Sequence, residues 1–523
     1  MAERYVPTVV SLAIQRRRVG WLLRACRRHG PEGWRNIEPF AAALPCTGWR
    51  SNVSVSTVSR WETGATLPTF PAIRRYETLL ARPPFSLVSV IDTILRYHAK
   101  RLTPLPAVRR PAPEAALATR QLAAVLDKVC SDDAVSGTDW QTLSTVMISS
   151  AVPLLAPRRL WEEIVDRLLA EVMVSDGVAW MQRFETINIL LSHPDSQEAA
   201  IGTISSIIAD RGTQSLVGTA CLLDGSGHPD AARSVLRLLH DPGDDRVFKG
   251  ALMACVRKIR YRHFTEAQLG TIAWYSTEVA ADSTVNEETR SLAASILRTV
   301  ATPPDAERTI VSPAMASLLT SRVLDGTLSQ LSHDVDGYRD LELARIIHDM
   351  LFDPVFDSRL YAAFLLQASP YRDGVAAALT SEVARADLRA GSAWVTTLFE
   401  ALRVVGTARQ RPTIEQYVVA TGISQEVNDN AAYALGHIGG HTSYEVWQRT
   451  IGHHLRLWQT TQAADHASTL DRLVYALGMA REWSLIRRLA QTPNLPAAVS
   501  TAAGWWLTQP QRIRASVTPQ TIP

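Results

Sequence analysis

The sequence predicts an all-α protein in two parts, a basic N-terminal helical domain followed by a much longer helical-repeat domain. Three observations predict it. From residue 114 to about 508, apolar residues recur at spacings of three and four, and β-type alternation flanked by hairpin turns is absent. Similar alanine-rich cores recur along that stretch at Ala293 to Leu297, Ala362 to Leu366, Ala431 to Leu435 and, more loosely, Leu473 to Leu477. The charge is also divided. Residues 1–110 hold 18 basic and six acidic side chains and the remainder 36 and 45, so a net charge of +3 conceals a +12 segment on a −9 body. Phosphate is the obvious polyanion for such a segment, whereas a purely solvated basic face is the plainer alternative.

Composition bounds the rest. A chain of 523 residues exceeds one ordinary core, and 46% hydrophobic with 20% charged residues describes a folded chain rather than a disordered one. No 18 apolar residues run uninterrupted and no signal-like segment opens the sequence, which predicts a cytoplasmic protein with no membrane partner. Five scattered cysteines without C-x-x-C spacing indicate neither a zinc site nor a disulfide framework. Only four of the 54 basic residues are lysines, a bias expected of a high-GC bacterial genome such as an actinobacterial one.

Taken in order, Val10 to Cys26 reads as a first helix with one apolar stripe and an arginine face made of Arg16, Arg17, Arg18, Arg24, Arg27 and Arg28, ended by Gly30-Pro31. A second helix is expected over Ile37–Leu44, with Phe40 and Leu44 in the core. The third runs from Ser54 to Gly64: Ser54 is a good N-cap and Gly64 a left-handed stop. Val58 and Trp61 share its inner side, and Val55, Ser56, Ser59, Arg60 and Thr63 are left outside. Four prolines between Pro104 and Pro113 mark a stiff linker. The expected domains are therefore 8–102, a linker at 103–113, a repeat domain at 114–508 and a flexible tail at 509–523.

The string Val53 to Gly64, Val-Ser-Val-Ser-Thr-Val-Ser-Arg-Trp-Glu-Thr-Gly, resembles the recognition helix of the phage-repressor-like (Cro-like, XRE) helix-turn-helix family. Pro68 and the helices after it extend the likeness to roughly residues 8–100. The resemblance implies a five-helix DNA-binding domain. Val55, Ser56 and Arg60 fall at positions that reach base edges, and Ser54, Thr57 and Thr63 near backbone-contacting ones, with Ser59 on the same face. Arg27, Arg28 and Arg50 are added as DNA contacts, and the arginines of the first helix, Arg18 among them, with Arg74 and Arg75 are read as phosphate contacts, a solvated face being the plainer alternative. It also implies an ion pair between the first helix and Glu62, with Arg27 the closest match and Arg24 the alternative. One departure stands out: nine residues, Pro45 to Val53, separate the second and third helices where the motif uses about 3–4. A long connection, Pro31 to Asn36, also precedes the second helix, and these two insertions bring Trp34, Arg35, Trp49 and Arg50, either as backbone contacts or as a packed flap. Farther on, Asn428 to Gly440 resembles the second helix of a HEAT repeat, and the 42-residue spacing from Ala431 to Leu473 fits the roughly 40–47-residue HEAT or armadillo period. This implies an α-solenoid-like domain.

Signatures of catalysis are poor. His437 and His441 have the spacing of a helical metal pair, but Gly439-Gly440 interrupts them; His453-His454 stands alone; and Gly225-Ser-Gly227 lacks the third glycine and preceding strand of a dinucleotide site. No enzyme activity, catalytic residue, metal or cofactor is expected. The expected function is that of a bacterial, nucleoid-associated transcription regulator: double-stranded DNA is its partner, and the C-terminal domain serves homodimerisation or a small-molecule or protein effector. A helical scaffold with a basic docking domain, in a regulatory or defence assembly, is the alternative.

Overall fold

A computed structural model describes residues 12–46, 49, 51–98, 108–111, 115–149, 157–210, 212, 220–243, 245–285, 287–301, 311–330, 340–386 and 393–517. Among these residues every regular element is helical and no strand occurs. None of the helices is long and apolar enough to cross a membrane.

The head comprises α1 (Leu12–Arg28), α2 (Ile37–Ala43), α3 (Val55–Glu62), α4 (Phe70–Leu79) and α5 (Ser86–His98). A first row follows: α6 (Ala115–Cys130), α7 (Gly137–Ser149), α8 (Arg158–Met173), α9 (Gly177–Leu190), α10 (Gln197–Ala209), α11 (Pro229–His240), α12 (Asp245–Arg260), α13 (Glu266–Ala281) and α14 (Glu287–Ala301). The second row holds α15 (Pro313–Ser329), α16 (Leu341–Phe352), α17 (Phe356–Ala368), α18 (Arg372–Arg385), α19 (Ala393–Val405), α20 (Arg411–Val418), α21 (Gln425–Leu435), α22 (Tyr444–Thr461), α23 (Ala464–Met479), α24 (Trp483–Ala490), α25 (Ala497–Thr508) and α26 (Gln511–Ser516).

In the second row, α17, α19, α21, α23 and α25 pack one on the next, each backed by the helix before it in the chain. Small residues permit the close stacking: a Cβ on Gly436 would lie 2.7 Å from the Tyr475 ring, and one on Gly478 would overlap Trp506. The stacked helices begin at Phe356, Ala393, Gln425, Ala464 and Ala497, so successive units start 32 to 39 residues apart. The 69-residue spacing of Ala362 and Ala431 therefore spans two units, and the 42 from Ala431 to Leu473 spans one.

The buried apolar side chains form two clusters, and their membership does not follow chain order. One covers residues 125–296 of the first row; the other joins the head to the second row. The head is tied to both rows through α5, which packs on α9 and α17. The rows meet directly as well, most firmly where Arg257 bonds Asp357 at 2.7 and 2.8 Å.

Two expected boundaries differ from what is observed. Of the proline-rich linker only 108–111 is described, and it is packed: Val108 and Arg110 are buried, and Arg110 bonds Asp92 of α5 at 2.8 Å. Proline does forbid helix here, but it does not forbid burial once a neighbouring carboxylate satisfies the arginine. At the C-terminus, residues 511–517 do not fray. Ile513 and Val517 are buried, Arg481 donates to the Val517 carbonyl at 2.7 Å, and α26 packs on α8.

Candidate nucleic-acid interface

α3 is built from its caps inward. The Ser54 hydroxyl accepts the Thr57 N–H at 3.2 Å, and Gly64, at φ +74°, ends the helix in the left-handed region. Gly64 meets a second requirement too, because a Cβ there would lie 2.5 Å from the Arg16 carbonyl oxygen and the Arg17 backbone. On the facing helix, a Cβ at Gly20 would lie 2.6 Å from Trp61 O and Gly64 N. Glycine opposite glycine thus lets the α1 and α3 backbones touch. Sequence reading overlooks Gly20; its one signal is a glycine inside an otherwise helical apolar stripe.

Inward, Val58 and Trp61 are buried. Glu62 is buried beside them and receives Arg27 in bidentate fashion, Nε to Oε1 at 2.7 Å and Nη2 to Oε2 at 2.8 Å. Tyr76 of α4 donates its hydroxyl to the same carboxylate at 3.1 Å. Burial and the Glu62 charge push the Tyr76 hydroxyl well above its ordinary pKa, so it remains a donor. Arg27 also donates to the Trp34 and Arg35 carbonyls, which clips the first insertion onto the head.

Outward, Ser54, Val55, Ser56, Ser59, Arg60 and Thr63 are exposed and Thr57 is half-buried. Val55 is an exposed apolar residue, at 38%. The Arg60 side chain makes no hydrogen bond or ion pair among the described residues. Three hydroxyls, Ser54, Ser56 and Thr57, meet at the helix start with Oγ separations of 2.9 Å. Arg16 and Arg17, exposed and equally unpaired, flank the far end of α3 beside Gly64. The result is a short, convex, polar face of groups able to donate, with cations at its end. Its inner side is fixed by a buried ion pair.

Several residues assigned to DNA by sequence are committed elsewhere. Arg27 is 5% exposed and engaged with Glu62, so it is a structural residue rather than a DNA contact. Arg74 pairs with Glu77 and lies 4.2 Å from the centre of the Phe85 ring, while Arg75 donates to the Ala43 and Leu44 carbonyls that end α2. Arg18 pairs with Asp349 and lies near Glu342 of α16. Arg28 is exposed beside His29, whose pKa is lowered by burial and then by the Arg28 charge, and His29 itself contacts Tyr371 at 3.2 Å; this is the seam with the second row. Arg50 lies outside the described residues. The insertions form a flap: Trp34 donates to the Leu79 carbonyl at 2.9 Å, and the Trp49 ring stacks on Trp61 at 6.4 Å.

The remaining sequence candidates show no constellation for chemistry. His437 faces Asp176 at 3.5 Å, and among the described residues no group of three potential ligands is suited to a metal. The Gly225-Ser-Gly227 turn instead accepts the buried Lys258, whose ammonium donates to the Leu223 and Ser226 carbonyls and whose pKa burial lowers to about 8. No family model matches the chain, and no curated protein or solved structure matches it.

Proposed function

We propose that the protein is a sequence-specific DNA-binding transcription regulator, with α2 and α3 acting as a helix-turn-helix and α3 entering the major groove. The observation that carries this reading is the division of α3 into a locked inner side and an exposed outer side bearing the unpaired Arg60. An arginine there suits the O6 and N7 of guanine, and Val55 suits a thymine methyl. Arg16 and Arg17 are placed for phosphates. The helical rows then act as a HEAT-like, solenoid-type body that holds the head and offers surface for a second copy or an effector. A dimer would read two half-sites about one helical turn apart.

The test is retention of genomic DNA fragments by the full chain as salt rises, followed by footprinting. Steep salt dependence with a defined footprint that disappears in Arg60→Ala supports the reading; weak, salt-insensitive retention defeats it. One observation favours the scaffold alternative: the α1 arginine face already docks on an acidic surface, with Arg18 on Asp349 and Trp21 donating to Asp340 at 2.8 Å. A protein partner that covers α3, with no footprint, would select that alternative.

A further inference from the structure

The acidic excess of the body stops before its end. Residues 111–443 hold 28 basic and 41 acidic side chains, whereas residues 444–523 hold eight and four. Three of those eight bond carboxylates or carbonyls, Arg472 with Asp429, Arg481 with the C-terminal carbonyls and Arg512 with Asp132, and Arg514 lies over the Trp483 ring. The side chains of the other four, Arg449 and Arg456 on α22 with Arg487 and Arg488 on α24, are exposed and make no hydrogen bond or ion pair among the described residues, Arg488 having only the Tyr444 ring beside it.

Arg449 and Arg456 share one outer line of α22, and Arg487 and Arg488 face outward from α24, which borders it. Trp447, Thr450, Ile451 and His454 bury the opposite side of α22, which turns Arg449, Gly452 and Arg456 outward in one line. The Arg456 guanidinium folds back to lie 3.3 Å from where a Gly452 Cβ would stand, toward Arg449 and not away from it. Arg488 lies 5.9 Å from the centre of the exposed Tyr444 ring, which brings α24 against the start of α22, and Trp458 bonds the Asn494 carbonyl at 3.3 Å to close the other end. Two carboxylates are near in sequence, Glu445 and Glu482, and neither pairs with any of the four arginines.

Like charges that outnumber nearby counter-charges and pair with none of them disfavour the fold, and a polyanion relieves them. We propose that the outer face of α22 and α24 is a second nucleic-acid surface, one that grips duplex backbone without reading sequence. The Cα atoms of Arg449 and Arg456 are two helical turns apart, about 10.5 Å, which matches the axial rise of about three base pairs of duplex. Guanidinium forks bind phosphate bidentately, which accounts for arginine at every position. The inference depends on the DNA reading of α3 only for the identity of the polyanion; its residues lie on different helices.

The test uses the full chain with Arg449, Arg456, Arg487 and Arg488 all changed to Gln, titrated against a random-sequence duplex over a range of salt. Because the four are exposed, the thermal melt should be unchanged. The affinity should fall about tenfold or more near 0.1 M salt, and the slope of log affinity against log salt should shrink by about 2–4. Sequence preference, if it resides in α3, should survive in this variant and disappear in Arg60→Ala. Unchanged affinity and slope would overturn the proposal while leaving the α3 reading intact. Loss of binding to polyglutamate with duplex binding retained would overturn it in favour of an acidic protein. A quadruple variant that weakens duplex binding by a wild type lacking all sequence preference would support the second surface and defeat the α3 reading.

Discussion

Two helices of the head, α3 and α5, are treated in opposite ways. All thirteen residues of α5 are buried. Its N-terminus is capped by a side chain from another helix, Glu77, which accepts the N–H groups of Phe85, Leu87 and Val88 at 2.8–3.1 Å. Farther along, Arg96 and Thr93 hold Glu185 of α9, Asp92 holds Arg110, and the Tyr97 ring stands 4.3 Å from Tyr361 of α17. α3 has eight residues, three of them buried, and caps itself. The difference separates two tasks. α5 carries the head's attachment to the helical rows, and α3 carries its display. Buried ion pairs of the α5 kind add little net stability over apolar packing, yet each becomes costly when one partner is removed. A polar surface on α3 costs almost nothing to keep in water.

That contrast breaks first at α5. Arg96→Ala strands Glu185 in a dry site and should destabilise the chain by about 3–5 kcal/mol in chemical denaturation; a change below about 1 kcal/mol would mean that α5 is not the anchor. Gly64→Ala should follow at about 2–4 kcal/mol, since it combines left-handed strain with a backbone clash against Arg16 and Arg17. A thermal melt detects this, and a neutral result would show that α1 and α3 separate freely. Ser54→Ala removes only the cap of α3 and should cost about 1 kcal/mol; hydrogen exchange at Thr57 reads the effect locally. Arg60→Ala touches no partner and should alter stability by less than about 0.5 kcal/mol.

The helical class is legible in the sequence because helix formation leaves a local record. Spacings of three and four, the Ser54 and Gly64 caps, and the inward pair Val58 and Trp61 all lie within a few residues of one another. The bidentate Arg27–Glu62 pair is present as well, named through family resemblance and not by spacing. What local pattern does not record is how distant segments consume the same residue type. Arg18 meets Asp349 across 331 residues, Arg96 meets Glu185 across 89, and Arg82 donates to the Ala368 carbonyl across 286. Read along the chain, these arginines are indistinguishable from Arg16, Arg17 and Arg60. Much of the basic excess of the head is thereby used inside the molecule, and the arginines left outside are fewer than the composition suggests. The burial of Val108 and Arg110 was hidden for the same reason, since the partners Asp92 and Gln141 lie on helices either side of the proline segment.

The proposed DNA reading rests on the outer face of α3 and on Arg60. The most direct measurement compares wild type and Arg60→Ala for binding to a selected duplex and to its scrambled counterpart, at one salt concentration and with matched thermal melts. The account predicts a wild-type preference that falls by about 1–3 kcal/mol, roughly 5- to 150-fold, in the variant, with stability unchanged. A wild type that binds both duplexes equally, or a variant that keeps the full preference, would contradict it.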